Sequence, residues 1–534
     1  MVHSTVLSVK IFGPRTFELT RKNCIMEFEG MELFLDDRYV SSMGNMRRVV
    51  QRAEMHPDNP LIKQDYPWEQ GGVCLLGTAY YDTDRDLYQM WYMSVGKNYP
   101  AEKFMAYAES KDGIEWYKPL FDHNPYEDIK QTNIVFGSGF TVTGPSVLRN
   151  PDPNCDPSKR YLVLFNSYCR EHPEDSADLG FRHDYVAYSP DGIHWSPSKG
   201  QPAFSGKADA TQCAVWDPRA KVFHAYVRRT IDNAYGQRIR TWSHVQSPDF
   251  IEWGPARELL RMDDEDGEDD GQIQQLAITY YDGIFIGLLS YFRIEHYYNA
   301  DGSGLEGVGG AVGFAERDKT GPDGPIDEGP QINDIQLLTS RDGVHFTRVG
   351  DREAFMPASR IEGLFSTTGH RTSCHMVQAK DEVRVYCDGR LRGWRKGFTM
   401  QIGLGSIRRD RFVAMEPSRK REVGVIELVP MDYPDPNLFL NATTMGMAYY
   451  KHVSVGTIRA EVVTFDGKAI EGFSKDDAVP IDGDSLDHPL EWTSDGNRYN
   501  LAKLPSQVKD PVRLRLWMHN AKVFALRDAS HMGK

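Results

Sequence analysis

Ser110-Lys111-Asp112-Gly113-Ile114-Glu115-Trp116 describes a tight turn in side chains. The aspartate accepts hydrogen bonds from its own downstream backbone, the glycine permits a positive φ, and the aromatic returns to an apolar layer. The same pattern recurs at Ser189-Pro190-Asp191-Gly192-Ile193-His194-Trp195 and at Ser340-Arg341-Asp342-Gly343-Val344-His345-Phe346. It occurs once more at Ser247-Pro248-Asp249-Phe250-Ile251-Glu252-Trp253, with Phe250 in the glycine position. The four serines lie 79, 58 and 93 residues apart, as repeated units carrying different inserted loops would.

Strand-like runs precede each turn. Val73–Tyr81 and Leu87–Met93 come before the first, and Ser146–Leu148 and Tyr161–Phe165 before the second. Ala210–Trp216 and Lys221–Arg228 come before the third, and Ile273–Tyr281 and Ile284–Tyr291 before the fourth. A fifth unit without the motif is expected from Ser373–Gln378, Val383–Cys387, Gln401–Ile407 and Arg408–Phe412. Five antiparallel units arranged radially predict an all-β chain built as a five-bladed β-propeller. Two or more β-sandwiches with coincidental Asp-Gly turns are the alternative.

Beyond residue 425 the motif is lost. Pro430–Pro436 is proline-rich, and alternating runs at Leu438–Ala442, Gly456–Thr464, Val512–His519 and Val523–Leu526 predict a C-terminal β-sandwich. The expected division is a lead-in over 1–65, the propeller over 66–425 and the sandwich over 426–534. Within the lead-in, Val6–Phe12 and Met31–Leu35 read as strands and Arg47–Arg52 as a loop crossing the propeller face.

Composition agrees with a β-rich globular chain. Of 534 residues 40% are hydrophobic and 26% charged, with 26 Tyr, 25 Phe, 10 Trp, 47 Gly and 30 Pro. A net charge of −14 without a basic stripe disfavours nucleic acid and anionic membranes as partners. No apolar run is long enough for a transmembrane helix. The first twenty residues lack the order of a secretory leader, and seven scattered cysteines without a CxxC pair favour a reducing compartment. A cytoplasmic location is therefore the mild expectation.

The turn signature, the five units and the trailing sandwich together resemble the five-bladed-propeller glycoside hydrolases of families 32, 43 and 68 and their uncharacterised bacterial relatives. The resemblance covers about residues 65–415. It implies a carbohydrate substrate, furanosides or short oligosaccharides, cleaved by paired carboxylates. The Asn-Asp-Pro-Asn-Gly, Arg-Asp-Pro and Glu-Cys motifs of family 32 are missing. Trp216-Asp217-Pro218 resembles the middle one superficially, at the outer end of a strand where a turn aspartate is expected. No catalytic residue carries over by motif.

Side chains just before the innermost strands of a propeller point into its funnel. This position selects Glu69, Asp209, Asp270 and, in the preceding loop, Glu362 as the catalytic pool. Glycoside hydrolysis needs one protonated and one ionised carboxyl, and crowding of like charges separates their pKa values. Arg228, Arg229, His370, Arg371 and His375 would hold hydroxyls or a carboxylate, and Trp68 would stack on a sugar. Each also has a structural reading: a turn cap for Asp209, a solvated acidic loop for Asp270, a blade edge for Glu69, ion pairs for the arginines. No cofactor and no catalytic metal is expected. The acidic run Asp263–Asp270 leaves room for a structural Ca²⁺, though its spacing does not match an EF-hand. The glycine-rich Gly302–Gly313 reads as an inserted loop. Two other functions stay open: a non-catalytic carbohydrate-binding propeller, and sugar transfer or phosphorolysis through an Arg/His anion pocket.

Overall fold

The computed structural model describes residues 26–531 except 99–100, 168–181, 199–202, 233–237, 267–270, 295–319, 322–323, 326–330, 360, 362–363, 391–399, 420–421, 445–446 and 450–451. The expected strand Val6–Phe12, Gly302–Gly313, Asp270 and Glu362 lie outside the described residues. The described chain is all-β, with only single-turn 3-10 helices between strands. None of its helices is long and apolar enough to cross a membrane. It divides into two compact units, Arg52–Arg408 and a second built from Met1–Gln51 with Arg409–Lys534.

The unit Arg52–Arg408 contains five antiparallel sheets in chain order. Sheet one comprises Gly72–Asp82, Leu87–Val95, Lys103–Ser110 and Ile134–Phe136. Sheet two comprises Thr143–Arg149, Tyr161–Ser167 and Arg182–Ser189, with Ser196–Pro197 and the opening of Phe204–Asp217 at its outer edge. The rest of Phe204–Asp217 is the first strand of sheet three, followed by Val222–Asp232, Arg238–Ser247 and Arg257–Leu260. Sheet four comprises Gln272–Tyr281, Ile284–Ile294 and Gln331–Ser340, edged by Thr347–Arg348 and Ala354–Met356. Sheet five comprises His370–Thr372 with Val377–Gln378, then Glu382–Arg390 and Met400–Arg408.

The edge strand of sheet five is not Arg408–Phe412, as expected, but Glu54–Met55, which pairs with Gly405 and Ser406. A strand from the start of the unit thus completes its last sheet. Non-local pairing of this kind satisfies an edge that would otherwise present unpaired backbone groups.

The first strands are joined by a recurring bond. A small side chain in one sheet accepts a backbone N–H from the first strand of another. Thr78 Oγ1 takes the N–H of Val147, Ser146 Oγ that of Ala214, and Cys213 Sγ that of Ile278. Thr279 Oγ1 takes the N–H of Met376, and Ser373 Oγ that of Ala79. The bonds run from sheet one through sheet five and return to sheet one. Every first strand is also interrupted at one level. Bulges fall between Cys74 and Thr78, Thr143 and Ser146, Asp209 and Gln212, and Ile273 and Gln275, and sheet five breaks between Thr372 and Val377. Bulges re-aim side chains and are frequent beside functional sites.

The repeated turns behave as their chemistry dictates. Asp112 Oδ1 accepts from the N–H groups of Ile114 and Glu115, and Ser110 Oγ accepts from Gly113 N. The turns at Asp191, Asp249 and Asp342 reproduce these bonds. Each glycine turn is also bonded by an aromatic from another sheet. Trp91 Nε1 donates to Gly192 O at 2.7 Å, Tyr226 Oη to Gly343 O at 2.8 Å and Tyr386 Oη to Gly113 O at 2.8 Å. At the corresponding place in sheet two stands Leu164, which offers no donor. The turn it meets is the one carrying Phe250, and the two residues share an apolar cluster.

The second unit contains two main sheets. One joins Asp484–Pro489, Leu438–Thr443, Lys522–Asp528, Val413–Pro417 and Met46–Val50, with Met31–Glu32 at the side. The other joins Val40–Gly44, Gly424–Leu428, Arg513–His519 and Thr457–Val463. In this second sheet burial alternates along Gly424–Leu428 and Arg513–His519, the mark of a sheet buried on one face. Its other face carries Arg515 between Glu427 and Glu461 at 2.6 and 2.7 Å. The stretch Arg47–Arg52, expected as a loop, supplies part of the strand Met46–Val50 paired to Val413–Pro417. That pairing is why the unit boundaries at 51 and 409 differ from the expected 65 and 425.

Candidate functional site

The first strands begin at one end of the five sheets, and buried polar groups collect there. Gln212 Nε2 donates to Thr143 O at 2.9 Å and also reaches Gly144 O. Gln275 clasps the backbone of Thr372 twice, donating to its oxygen at 2.7 Å and accepting from its N–H at 2.8 Å. Arg228 Nη1 donates to Gln274 O at 2.9 Å.

Three buried or partly buried Arg–Asp pairs lie among these groups. Arg229 Nη1 meets Asp184 Oδ2 at 3.0 Å, linking sheets two and three. Arg293 meets Asp334 at 2.6 Å within sheet four, and Asp334 also accepts the N–H of Ala358. Arg371 pairs with Asp388 within sheet five, and its Nη2 lies 2.8 Å from Met400 Sδ. Burial raises the Asp184 carboxyl above its usual range, although Arg229 and Asn166 pull it down.

Six hydroxyl and amide oxygens of the strand starts and their neighbours are among the side-chain atoms that are buried without a partner among the described residues. They are Thr143 Oγ1, Asn166 Oδ1, Thr211 Oγ1, Gln212 Oε1, Gln274 Oε1 and Thr372 Oγ1. Unpartnered buried polar atoms also occur elsewhere among the described residues, at Trp116 and His488 for example, and those on the bulged strand starts and their neighbours make this end polar.

Asp209, expected just before a strand, lies within Phe204–Asp217, opposite Arg228 in register, and Arg228 and Arg229 lie on the paired strand Val222–Asp232. Other expected residues have different surroundings. Glu69 is fully buried. Its Oε2 accepts from Lys118 Nζ at 2.8 Å and from the N–H groups of Asp65 and Tyr66, and its Oε1 accepts from Tyr92 Oη at 2.6 Å. A carboxylate so enclosed is a structural anchor rather than a group presented to substrate. Trp68 is likewise buried, donates to Asn133 Oδ1 at 2.8 Å and stacks on Tyr66 with centroids 4.6 Å apart. It has no face for a sugar.

His370 is buried with Nδ1 3.6 Å from Cys387 Sγ, and burial lowers its pKa. His375 Nδ1 lies 3.0 Å from Ile278 O, and burial pushes its pKa down to about 4. Both imidazoles are neutral near pH 7 and therefore poor anion ligands. In the acidic run, Arg352 holds Asp263, Glu265 and Asp266, and Arg348 holds Asp266. Among the described residues no three potential ligands are placed to share a metal ion. Asp217 caps its turn by accepting from Arg219 N and Ala220 N.

Sequence reasoning missed Asp184, Asp334, Asp388 and Lys118. The available signal was an acidic residue inside a strand run, as in His183-Asp184 before Tyr185, where β-sheets otherwise avoid aspartate.

No protein-family model matches the chain, and no curated protein matches it. Among solved structures it is similar to a glycosyl hydrolase from Bacteroides ovatus, at 14% identity and TM-score 0.42, over 69% of this chain and 97% of that one. It is similar to an N-acetylgalactosamine deacetylase from F. plautii, at 13% identity and TM-score 0.41, over 68% and 96%. It is also similar to a fructofuranosidase from Schwanniomyces occidentalis, at 8% identity and TM-score 0.40, over 90% and 99%. These scores lie below 0.5 and assign no activity to the chain.

Proposed function

We propose that the five sheets of Arg52–Arg408 are the blades of a five-bladed β-propeller, that the second unit is a β-sandwich, and that the strand-start end of the propeller is the active site of a glycoside hydrolase. The observation that carries this reading is the group of six orphaned buried polar atoms around Thr143, Gln212 and Gln274. Neutral amide and hydroxyl groups of this kind suit a ligand that both donates and accepts at many points, as sugar hydroxyls do.

Asp209, opposite Arg228 in register, is the first carboxylate. Asp270 and Glu362 are the pool for the second, since Glu69 is committed to Lys118. The protonated partner delivers its proton to the leaving oxygen while the ionised one acts as base or nucleophile. Asp184 positions Arg229 rather than touching substrate. A furanoside or short oligosaccharide is the proposed substrate.

The phosphorolysis reading is weaker. Asp184 and Asp388 neutralise Arg229 and Arg371, so two of the three arginines of the expected anion pocket are already paired. The test is release of reducing sugar from fructans, arabinans and aryl furanosides, with Gln274→Leu run beside the parent. A KM raised several-fold in the variant supports the site. Release without any effect of Gln274→Leu places it elsewhere.

A further inference from the structure

An aspartyl-glycine bond carries a latent reaction, because glycine has no side chain to obstruct attack by its own nitrogen. The glycine N–H adds to the protonated carboxyl of the aspartate before it. An N–Cγ bond forms, a Cγ–O bond breaks, and one water leaves as a five-membered succinimide closes. Water then opens the ring at its other carbonyl, so that the backbone runs through Cγ and the α-carboxyl becomes free. The net change is an isomerisation, with no electron transferred. It needs a glycine nitrogen free to reach Cγ and a carboxyl free to turn and to take a proton.

The repeated turns withhold both. Gly113, Gly192 and Gly343 donate their N–H groups to the Oγ atoms of Ser110, Ser189 and Ser340 at 2.8, 2.8 and 3.0 Å. Asp112, Asp191 and Asp342 each accept from the two N–H groups that follow the glycine, at 2.8 or 2.9 Å. Burial raises these carboxyls, but the bonds outweigh it and hold all three below the ordinary carboxylate range. Two turns of the second unit are restrained in other ways. Gly483 N donates to Thr444 Oγ1 at 2.7 Å. Gly467 N donates to Thr464 O at 2.9 Å, and Lys468 holds Asp466 at 3.2 Å.

Asp495-Gly496 has neither restraint. It forms the two-residue tip between Trp492–Ser494 and Asn497–Tyr499, with Ser494 opposite Asn497. Its φ angles of +51° and +79° are those of a type I′ hairpin turn. Both residues are exposed. Among the described residues the N–H of Gly496 makes no hydrogen bond, and a Cβ on Gly496 would meet nothing within 4 Å. The Asp495 carboxylate accepts from Ser494 Oγ at a long 3.4 Å. Asp282-Gly283 has the same turn, with φ of +42° and +94°, but is half-buried.

We propose that Asp495 is a modification site that converts to isoaspartate in the folded protein ahead of the other described Asp-Gly bonds, and that the serine of the Ser-x-Asp-Gly turn protects the repeat from the same reaction. The product presents a new α-carboxylate at an exposed hairpin tip. That group is a substrate for an S-adenosylmethionine-dependent carboxyl methyltransferase acting on isoaspartyl residues. The proposal does not rest on the carbohydrate reading.

The test incubates the full chain at neutral pH, detects isoaspartate by enzymatic methyl transfer from S-adenosylmethionine and locates it by peptide mapping. Free peptides spanning 491–499 and 109–116 supply the unrestrained rates. Asp495 is expected to accumulate isoaspartate first. Relative to its own peptide, Asp112 should be slowed at least about fivefold more than Asp495, the equivalent of one ordinary hydrogen bond. Ser110→Ala should remove most of that difference. Asp495→Glu should abolish the signal at the hairpin, and its exposure keeps that variant folded. Isoaspartate arising at Asp112, Asp191 or Asp342 as fast as at Asp495, or its absence at Asp495 once the free peptide has converted, would overturn the proposal. An unchanged rate at Asp112 in folded Ser110→Ala would overturn the protective role of the serine.

Discussion

Trp91 and Gly192 meet at 2.7 Å, indole nitrogen to carbonyl oxygen, across the interface of two sheets. A Cβ at Gly192 would lie 2.7 Å from Trp91 Cζ2, and the residue sits at a φ of +82°. The glycine of the repeat therefore serves two demands, the turn's left-handed backbone and the neighbour's ring. Gly113 obeys the same rule, with Tyr386 Oη 2.5 Å from its notional Cβ.

Gly192→Ala should cost roughly 2–4 kcal/mol, because a left-handed alanine is strained and the ring must move. Trp91→Phe should cost less of this polar contribution, about 1 kcal/mol for the lost bond plus the smaller ring's packing loss. Urea unfolding of both variants measures the order.

Phe250 is the exception that the neighbouring side chain explains. It occupies a positive φ of +65° and is fully buried. Phe250→Gly relieves the backbone but empties the core, with an expected net loss of roughly 2–4 kcal/mol. Adding Leu164→Tyr restores the arrangement seen at Tyr226 and Gly343. The double variant should recover at least about 1 kcal/mol beyond additivity. Strictly additive losses would show that the pairing is coincidental.

Glu69 is a structural group. Glu69→Gln leaves Lys118 facing Asp65 alone in a buried setting and should lower stability by about 3–5 kcal/mol. In the folded fraction, kcat should stay within twofold of the parent. A loss of kcat by two orders of magnitude at unchanged stability would return Glu69 to the catalytic pool.

Acid should weaken the Arg52–Arg408 unit through its buried imidazoles. His244, 2.8 Å from His224, is pushed down to about 4 by burial, with the neighbouring imidazole adding to the effect. His375 is pushed to about 4 by burial. Their unfolded-state value is 6.5, so below that pH the unfolded chain binds protons that the folded chain refuses. Stability is fully present above pH 6.5. It falls as pH drops toward 4, by up to about 1.4 kcal/mol per pH unit for each histidine. Melting curves across this window check the slope, and His375→Gln should flatten it.

The architecture was legible where its signal is local. Ser189, Asp191 and Gly192 bond one another within four residues, so the turn can be read without knowing its neighbours. The partner of Gly192 cannot, because Trp91 lies about a hundred residues away and an aromatic in a strand has no address. The same limit hid Glu54–Met55 as the last strand of sheet five, whose partners lie some 350 residues downstream. Position before a first strand pointed to neither Gln212 nor Gln275, which lie inside the first strands Phe204–Asp217 and Gln272–Tyr281 and hold the backbone of Thr143 and Thr372. Sequence position also carries no information on which polar groups are available, because availability depends on burial and pairing. Lys118 takes Glu69 out of play, and Asp388 does the same for Arg371.

The most direct test of the central claim is product release measured side by side for the parent, Asp209→Asn, Asp270→Asn, Glu362→Gln and Glu69→Gln on a panel of fructans, arabinans and aryl furanosides. The account predicts sugar release by the parent. It predicts a fall of at least about a thousandfold in kcat for Asp209→Asn and for one of Asp270→Asn and Glu362→Gln, with Glu69→Gln close to the parent. Release undiminished in all three strand-start variants would contradict it.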